Sequence, residues 1–464
     1  MKRFLPILLF AALAFCGCEE LDLFPEPQKE VNKDKYGTDR VYGSEAIPSI
    51  RISVPLDQWN ALLGYYDENN KTKKYVSCDV EYNDGASIEK VSGAGLRLRG
   101  NTSRRRPEGE VGETHNPEET VWHHCHFGVH LDKFTKDDDH RIKGIRKMNL
   151  KWFKDDPNYV REIYCYDLFQ RAGVWTAPHS KYCLLWLKVE GDPAYTYFGV
   201  YELLEPIDTR FLKARKEGFG DAGGNLWKCR WGASLNSTNA DFGLDDGTDA
   251  EHTYEFKGEK EAYGAAEAQL KDFILKLTGK GEDSFYQWIQ EVCDVPLLLK
   301  TYAVNVTVGM WDDYWNNQNN YYIYFNATDK YAYKFYFIPF DYDNTLGTSL
   351  MMDAGRKDPL NWGDDSNLLI RRLLRFDDFR QIYKDALLEL VDPDKALFYY
   401  TASIQRITDW QNSIKDFVEN DTGEDCMIYD EPAPWGNMPN YRLLTEGPDN
   451  FFQVKTQTIL NTCK

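Results

Sequence analysis

The hydrophobic pattern of this chain changes period once, near Glu259, and that change limits the folds open to it. Before it, polar and apolar residues alternate over residues 49–54, 75–82, 95–99, 126–131, 147–152, 181–189 and 195–204, the period of half-buried strands. Asn83-Asp84-Gly85 supplies a hairpin turn between two of these segments. A short helix with Leu56, Trp59 and Leu62 on one face interrupts them. Asp156-Pro157 opens another, as N-cap and first helical residue; it carries Val160, Ile163, Tyr164 and Leu168 and stops at Gly173. After Glu259, helical spacing dominates residues 261–277, 283–291, 295–310, 367–391 and 396–417. One pair of aromatic strands, 321–325 and 333–337, is set among these helices. The pattern predicts an α+β protein with no internal repeat. Its layout is that of a two-lobed kinase-like fold, although other α+β architectures share it.

The first residues read as an export signal. Lys2 and Arg3 precede the apolar run 4–15, which is shorter than the about 20 residues a spanning helix needs. Cys16-Gly17-Cys18 follows, and a small residue directly before a cysteine resembles a bacterial lipoprotein cleavage signal. Residues 1–17 are therefore expected to be a lipoprotein signal peptide, with Cys18 lipidated in preference to Cys16. Residues 18–46, rich in charge, Pro and Asn, are expected to form a flexible tether. The expected location is extracytoplasmic, on a membrane through the lipid.

Charge narrows the partners. The net charge is −19, from 55 Lys+Arg against 74 Asp+Glu, and no basic tract could follow a nucleic-acid backbone. So acidic a protein needs metal ions or a locally basic cleft to handle phosphates. Aromatic residues make up 15% of the chain, which excludes general disorder. Beyond Cys16 and Cys18 stand Cys78, Cys125, Cys165, Cys183, Cys229, Cys293, Cys426 and Cys463, whose pairing the sequence does not fix. There is no C-x-x-C, and His123, His124, Cys125 and His126 are consecutive, unlike spaced zinc ligands.

Two segments carry the chemistry. Trp311-Asp312-Asp313-Tyr314-Trp315-Asn316-Asn317-Gln318-Asn319-Asn320 leads into the first aromatic strand, and Ile338-Pro339-Phe340-Asp341-Tyr342-Asp343-Asn344-Thr345-Leu346-Gly347 leaves the second. Ends of strands joined by a hairpin lie close, so both clusters should face one site. Phosphoryl transfer uses an Asp that orients the hydroxyl, an Asn about five residues later near the metal, and a metal-chelating Asp beyond a hairpin. Asp312, Asn317 and Asp341 have that spacing; Asx turns in a solvated loop would also produce it. An EF-hand loop starting at Asp341 is excluded, because Leu346 and Met352 stand where Gly and Glu are required. Asp241-Phe242-Gly243 spells a kinase metal motif but precedes the Asp312 segment with no hairpin before it, and is read as a loop.

These blocks resemble the spore coat protein H (CotH) family of atypical kinases. Leu96-Arg97-Leu98-Arg99-Gly100-Asn101-Thr102-Ser103 is similar to the signature near the start of that family. Residues 126–133, 161–173 and 197–205 resemble its later blocks, followed by the two Asp segments, the run beginning Asn367-Leu368-Leu369-Ile370-Arg371-Arg372, and Phe379-Arg380. The resemblance covers roughly residues 49–417 and implies a secreted or envelope-associated protein kinase that uses ATP with Mg²⁺ or Mn²⁺ on Ser or Thr acceptors. It implies a domain at 47–420, with a β-rich lobe at 47–206, a helical lobe at 207–420 and a C-terminal extension at 421–464. Asp312 would be the catalytic aspartate and Asp341 the metal aspartate, with Asn317, Asn320 and Asp343 as further metal ligands. ATP-binding candidates are Arg97 and Arg99, Lys151 paired with Glu162, and Glu202 and Glu205 near the lobe connection. Lys147, Asn149 and Lys151 share one face of their strand. The competing expectation is a catalytically silent surface module binding a protein or glycan, with Trp311 and Trp315 exposed to stack on sugars.

Overall fold

Why the first half closes on itself follows from its alternation. Its strands are β1 (Ser49–Val54), β2 (Val76–Asn83), β3 (Ile88–Arg99), β4 (His126–His130), β5 (Lys147–Lys151), β6 (Ser180–Val189) and β7 (Thr196–Leu204). Inward residues such as Ile50, Ile52, Leu96, Leu98, Phe127, Met148, Leu150, Leu185 and Leu203 are buried together. In this computed structural model, residues 36–135, 140–424, 426–434 and 440–464 are described. Cys18, the signal and the first part of the tether lie outside them.

The strands form a closed barrel in the order β1-β2-β3-β4-β5-β7-β6. Closure comes from β1, which pairs antiparallel with β2 and parallel with β6, Ser49 opposite Leu184. A closed barrel leaves no unpaired edge for another chain to extend. Its interior is apolar, so polar residues of β3, β5 and β7 must face outward. Residues 104–120, a polar stretch between β3 and β4, are pinned to the helix Leu56–Glu68: Arg106 binds both carboxylate oxygens of Asp67 at 2.9 and 3.1 Å. Thr38–Tyr42, inside the expected tether, is a short helix with Val41 buried, and Lys181 donates to the carbonyls of Val41 and Ser44.

A helix, Arg161–Arg171, links the barrel to a second core. It starts later than Asp156-Pro157 suggests. Tyr159 adopts a left-handed φ of 58° that breaks the helix before Val160. Asp156 still accepts the N–H groups of Val160 and Arg161, at 3.0 and 2.9 Å, so it caps from a distance.

The second core lies around a five-stranded sheet of β8 (Asn225–Cys229), β9 (Phe242–Leu244), β10 (Tyr254–Phe256), β11 (Tyr321–Phe325) and β12 (Phe335–Pro339), in the order β12-β11-β8-β10-β9. The expected loop at Asp241-Phe242-Gly243 is in fact the start of β9, because Phe242–Leu244 finds a parallel partner in β10. Helices Tyr263–Gly279, Glu282–Val292, Val295–Thr307, Asp377–Leu390 and Phe451–Cys463 pack around this sheet. The chain is thus an α+β protein, β-rich first and mainly helical afterwards. The C-terminal stretch belongs to the same core: Phe451, Phe452 and Ile459 are fully buried, and Arg442 holds Asp353. Among the described residues no helix is long and apolar enough to cross a membrane.

Candidate functional site

The hairpin β11–β12 sets the site. Tyr321 pairs with Pro339, so the chain entering β11 and the chain leaving β12 emerge at the same end of the sheet. Asp312 lies on the entering turn, Asp341 and Asp343 on the leaving one.

The entering turn is built from amides. Asp313 caps the short helix Tyr314–Asn317 by accepting the Asn316 N–H at 2.8 Å, and its other oxygen accepts from Asn305 at 2.6 Å. Trp315 lies flat against Gly363, where a Cβ would meet the indole at 2.0 Å. Asn367 secures the Trp315 carbonyl at 2.7 Å. Gln318 and Asn320 both take left-handed φ, 55° and 56°, which curls Asn317, Asn319 and Asn320 around one carboxylate. Asp312 accepts from Asn317 at 2.6 Å and Asn319 at 3.1 Å on one oxygen, and from Asn320 at 3.0 Å on the other. Burial pushes its carboxyl up and the charge of Asp341 adds to this, while the three amides pull it down. Burial similarly carries Asp313 to about 7.

The leaving turn is built from charge. Asp341 has a left-handed φ of 66°, a costly conformation for a residue with a Cβ, and its N–H donates to the Tyr166 hydroxyl at 3.0 Å. Lys151, at the end of β5, donates to Asp341 at 2.8 Å and to Glu162 on the linking helix. The Lys151 and Glu162 side chains are only 8% and 4% exposed, whereas Asp341 is 36% exposed at the mouth. Burial opposes ionisation of Asp341, but Lys151, with Lys228 and Arg99, outweighs it and holds the carboxyl at about 2. Asp343 goes the other way: burial, and then the charge of Asp341, hold it well above the usual range. Glu202, opposite Lys151 on β7, is also pushed well up, by burial and by Glu162.

Glu162, Asp341 and Asp343 each present an oxygen within 4.8 Å of the others. With Asp312 nearby, these acids outnumber the one lysine paired to them, and hard oxygen donors of this kind suit Mg²⁺ or Mn²⁺. The residues therefore fit a divalent cation. Asn317 and Asn320 spend their amide N–H groups on Asp312, which leaves only their amide oxygens to offer a metal.

Of the candidates read from the sequence, Arg99, Lys151, Glu162, Glu202, Asp312, Asn317, Asn320, Asp341 and Asp343 converge here. The guanidinium of Arg99 senses Asp341 and Glu162, and its Nη1 is buried with no hydrogen-bond partner. Arg97 instead donates to the Tyr75 hydroxyl at 3.0 Å. Glu205 accepts two bonds from Arg215, at 2.8 and 2.6 Å, and one from the His179 N–H. It is committed to that ion pair, not to the Asp341 turn. Trp311 and Trp315 are 7% and 4% exposed, so the expectation that they stack on sugars is overturned; their indoles fill the core beneath the turn. Sequence reasoning misses Asn319, which sits between the named amides, and Lys228 on β8, a strand without polar–apolar alternation.

In comparison with protein families, the model described as CotH kinase protein matches residues 96–429. No curated protein matches the chain.

Proposed function

This chain belongs to the CotH kinase protein family, and on that premise we propose that it is a metal-dependent protein kinase. It transfers the ATP γ-phosphate to Ser or Thr hydroxyls of envelope or surface proteins, or of itself. The observation that carries this reading is the placement of two differently tuned aspartate turns at one sheet end, beside a buried Lys151–Glu162 pair. We read the barrel and the helical part as the lobes of a kinase-like fold, with the site between them.

Each residue then has distinct work. Asp312, held by three amides that carry no charge, orients the acceptor hydroxyl and takes up its proton. Glu162, Asp341 and Asp343 would hold the metal, with the Asn317 and Asn320 amide oxygens as further ligands. When bound, the metal supplies the positive charge that lets phosphates approach these acids. Lys151 fixes Asp341 and Glu162 relative to one another, and Arg99 offers an unused donor to a phosphate oxygen. The protein is exported and anchored through a lipid on Cys18, for which Gly17-Cys18 after the short apolar run is the support.

Thermal denaturation tests the reading. ATP with Mg²⁺ or Mn²⁺ is expected to raise the unfolding midpoint strongly, and ATP in excess chelator is expected to do little. Equal stabilisation under both conditions would count against a kinase site.

A further inference from the structure

One cation near the site is bound by none of its acids. Lys228 lies on the central strand β8, with Glu255 of β10 and Tyr322 of β11 as its cross-strand neighbours. Glu255 would be its natural partner, but that carboxylate is already taken. Lys257 binds it at 2.9 Å, Arg230 at 3.2 Å and Lys73 at 3.6 Å. The Lys228 ammonium lies instead over two rings, 5.0 Å from the centre of Phe340 and 5.9 Å from that of Tyr322. It forms no hydrogen bond or ion pair with any other described residue. Phe340 immediately precedes Asp341, so these contacts seat the ammonium beside the leaving turn.

Arg99 meets the same turn from the barrel. It lies on the outward face of β3, its neighbours Leu98 and Leu96 being buried inside. Its Nη1 is buried and unsatisfied, and its charge is felt by both Asp341 and Tyr322. A buried donor without a partner is expensive to keep, and chains retain one where a ligand completes it. Here that donor and the half-buried Lys228 ammonium come from separate sheets and share one electrostatic neighbour, Asp341, whose own bond goes to Lys151. Burial, and then Arg230 and Lys257, pull the Lys228 ammonium well below its usual range, so Glu255 and Asp341 do not supply the counter-charge it needs. What would is an anion entering between the barrel and the second sheet.

We propose that Lys228 is a further phosphate-binding residue and that, with Arg99, it forms a cradle for the polyphosphate of a nucleoside triphosphate. This rests on the kinase reading above. Arg99 supplies planar donors and Lys228 a point charge on an aromatic floor, so the two hold phosphate oxygens from opposite sides while the acids face the cation.

Calorimetric titration of the full chain with Mg²⁺–ATP decides it, using wild type, Lys228→Met and Lys228→Arg, each with its unfolding midpoint. Met keeps the aliphatic packing on Phe340 and Tyr322. The expected result is about 10- to 100-fold weaker Mg²⁺–ATP binding for Lys228→Met, the range for loss of one charged hydrogen bond, at an unfolding midpoint no lower than wild type. Lys228→Arg is expected to stay within a few-fold of wild type. Unchanged affinity in Lys228→Met overturns the cradle and leaves the kinase reading standing. Weaker binding that comes with a lowered midpoint in both variants also overturns it, since the lysine would then act through packing. Failure of wild type itself to bind Mg²⁺–ATP brings down the kinase reading, and the cradle with it.

Discussion

The two aspartate turns leave the same end of one strand pair, yet they are held by opposite means. The Asp312 turn is a web of neutral amides: three asparagines on Asp312, and Asn305 with a backbone N–H on Asp313. The Asp341 turn is a knot of charge, with Lys151 bridging Asp341 and Glu162 while burial, and then the charge of Asp341, raise Asp343 well above the usual carboxylate range. Amides fix direction without fixing charge, so Asp312 can gain a proton and keep its place. Ion pairing fixes charge, so Asp341 stays ionised and its surplus of acids calls for a cation. The difference assigns proton handling to one turn and cation holding to the other.

Substituting each aspartate by its amide should separate the turns most sharply. Asp341→Asn removes the charge on which Lys151 and the cation both depend. Calorimetry should show Mg²⁺–ATP binding lost, and phosphate transfer should fall on the order of 10³-fold. Asp312→Asn leaves the charged turn intact. It should keep Mg²⁺–ATP affinity within a few-fold while transfer falls on the order of 10²-fold or more. Reversed binding phenotypes would mean the roles are exchanged.

Stability gives a second contrast. Lys151→Met strands Glu162, whose side chain is 4% exposed, and removing one member of a buried pair costs about 3–5 kcal/mol. The share from Asp341 is smaller, because that group is 36% exposed and screened by solvent. Chemical denaturation should therefore show a loss near the lower figure, with Asp312→Asn far milder.

The smallest effect is a pH dependence of the amide turn. Asp313 has its folded pKa raised to about 7, above its unfolded value near 3.8. The folded state then holds the proton more tightly. Its stabilising contribution is complete below pH about 4 and is lost as pH rises through about 7. Wild type should melt at a lower temperature at pH 8 than at pH 6, and Asp313→Asn should flatten that slope. An unchanged slope in the variant would place the titration elsewhere.

Much of this contrast is legible in the amino-acid sequence itself. Local periodicity locates most strands and helices, because burial on one face leaves its mark within a few residues: residues 49–54 and β1 coincide, and residues 283–291 fall within Glu282–Val292. The hairpin joining the two Asp segments is equally legible, as is the shared face of Lys147, Asn149 and Lys151. What escapes is non-local or very short. Barrel closure depends on β1 meeting β6 in parallel, which no local pattern encodes. Strands β9 and β10 run three residues each, too few to establish a period, and β8 reads Asn225-Leu226-Trp227-Lys228-Cys229 without alternation, so Lys228 stays hidden between Trp227 and Cys229. The late start of the linking helix turns on one left-handed residue, Tyr159. Glu205 is misplaced by sequence reasoning because its partner Arg215 lies in a following helical turn whose direction only the fold reveals.

The kinase reading stands or falls on whether the two turns together move a phosphoryl group. Incubating purified protein with γ-labelled ATP, with and without Mg²⁺ or Mn²⁺, measures that directly, using the protein itself and a Ser/Thr-rich polypeptide as acceptors. The expected result is covalent label on Ser or Thr that requires the metal and whose rate falls on the order of 10²-fold or more in both Asp312→Asn and Asp341→Asn. No label on either acceptor with metal present, or labelling at the wild-type rate in Asp312→Asn, would contradict it.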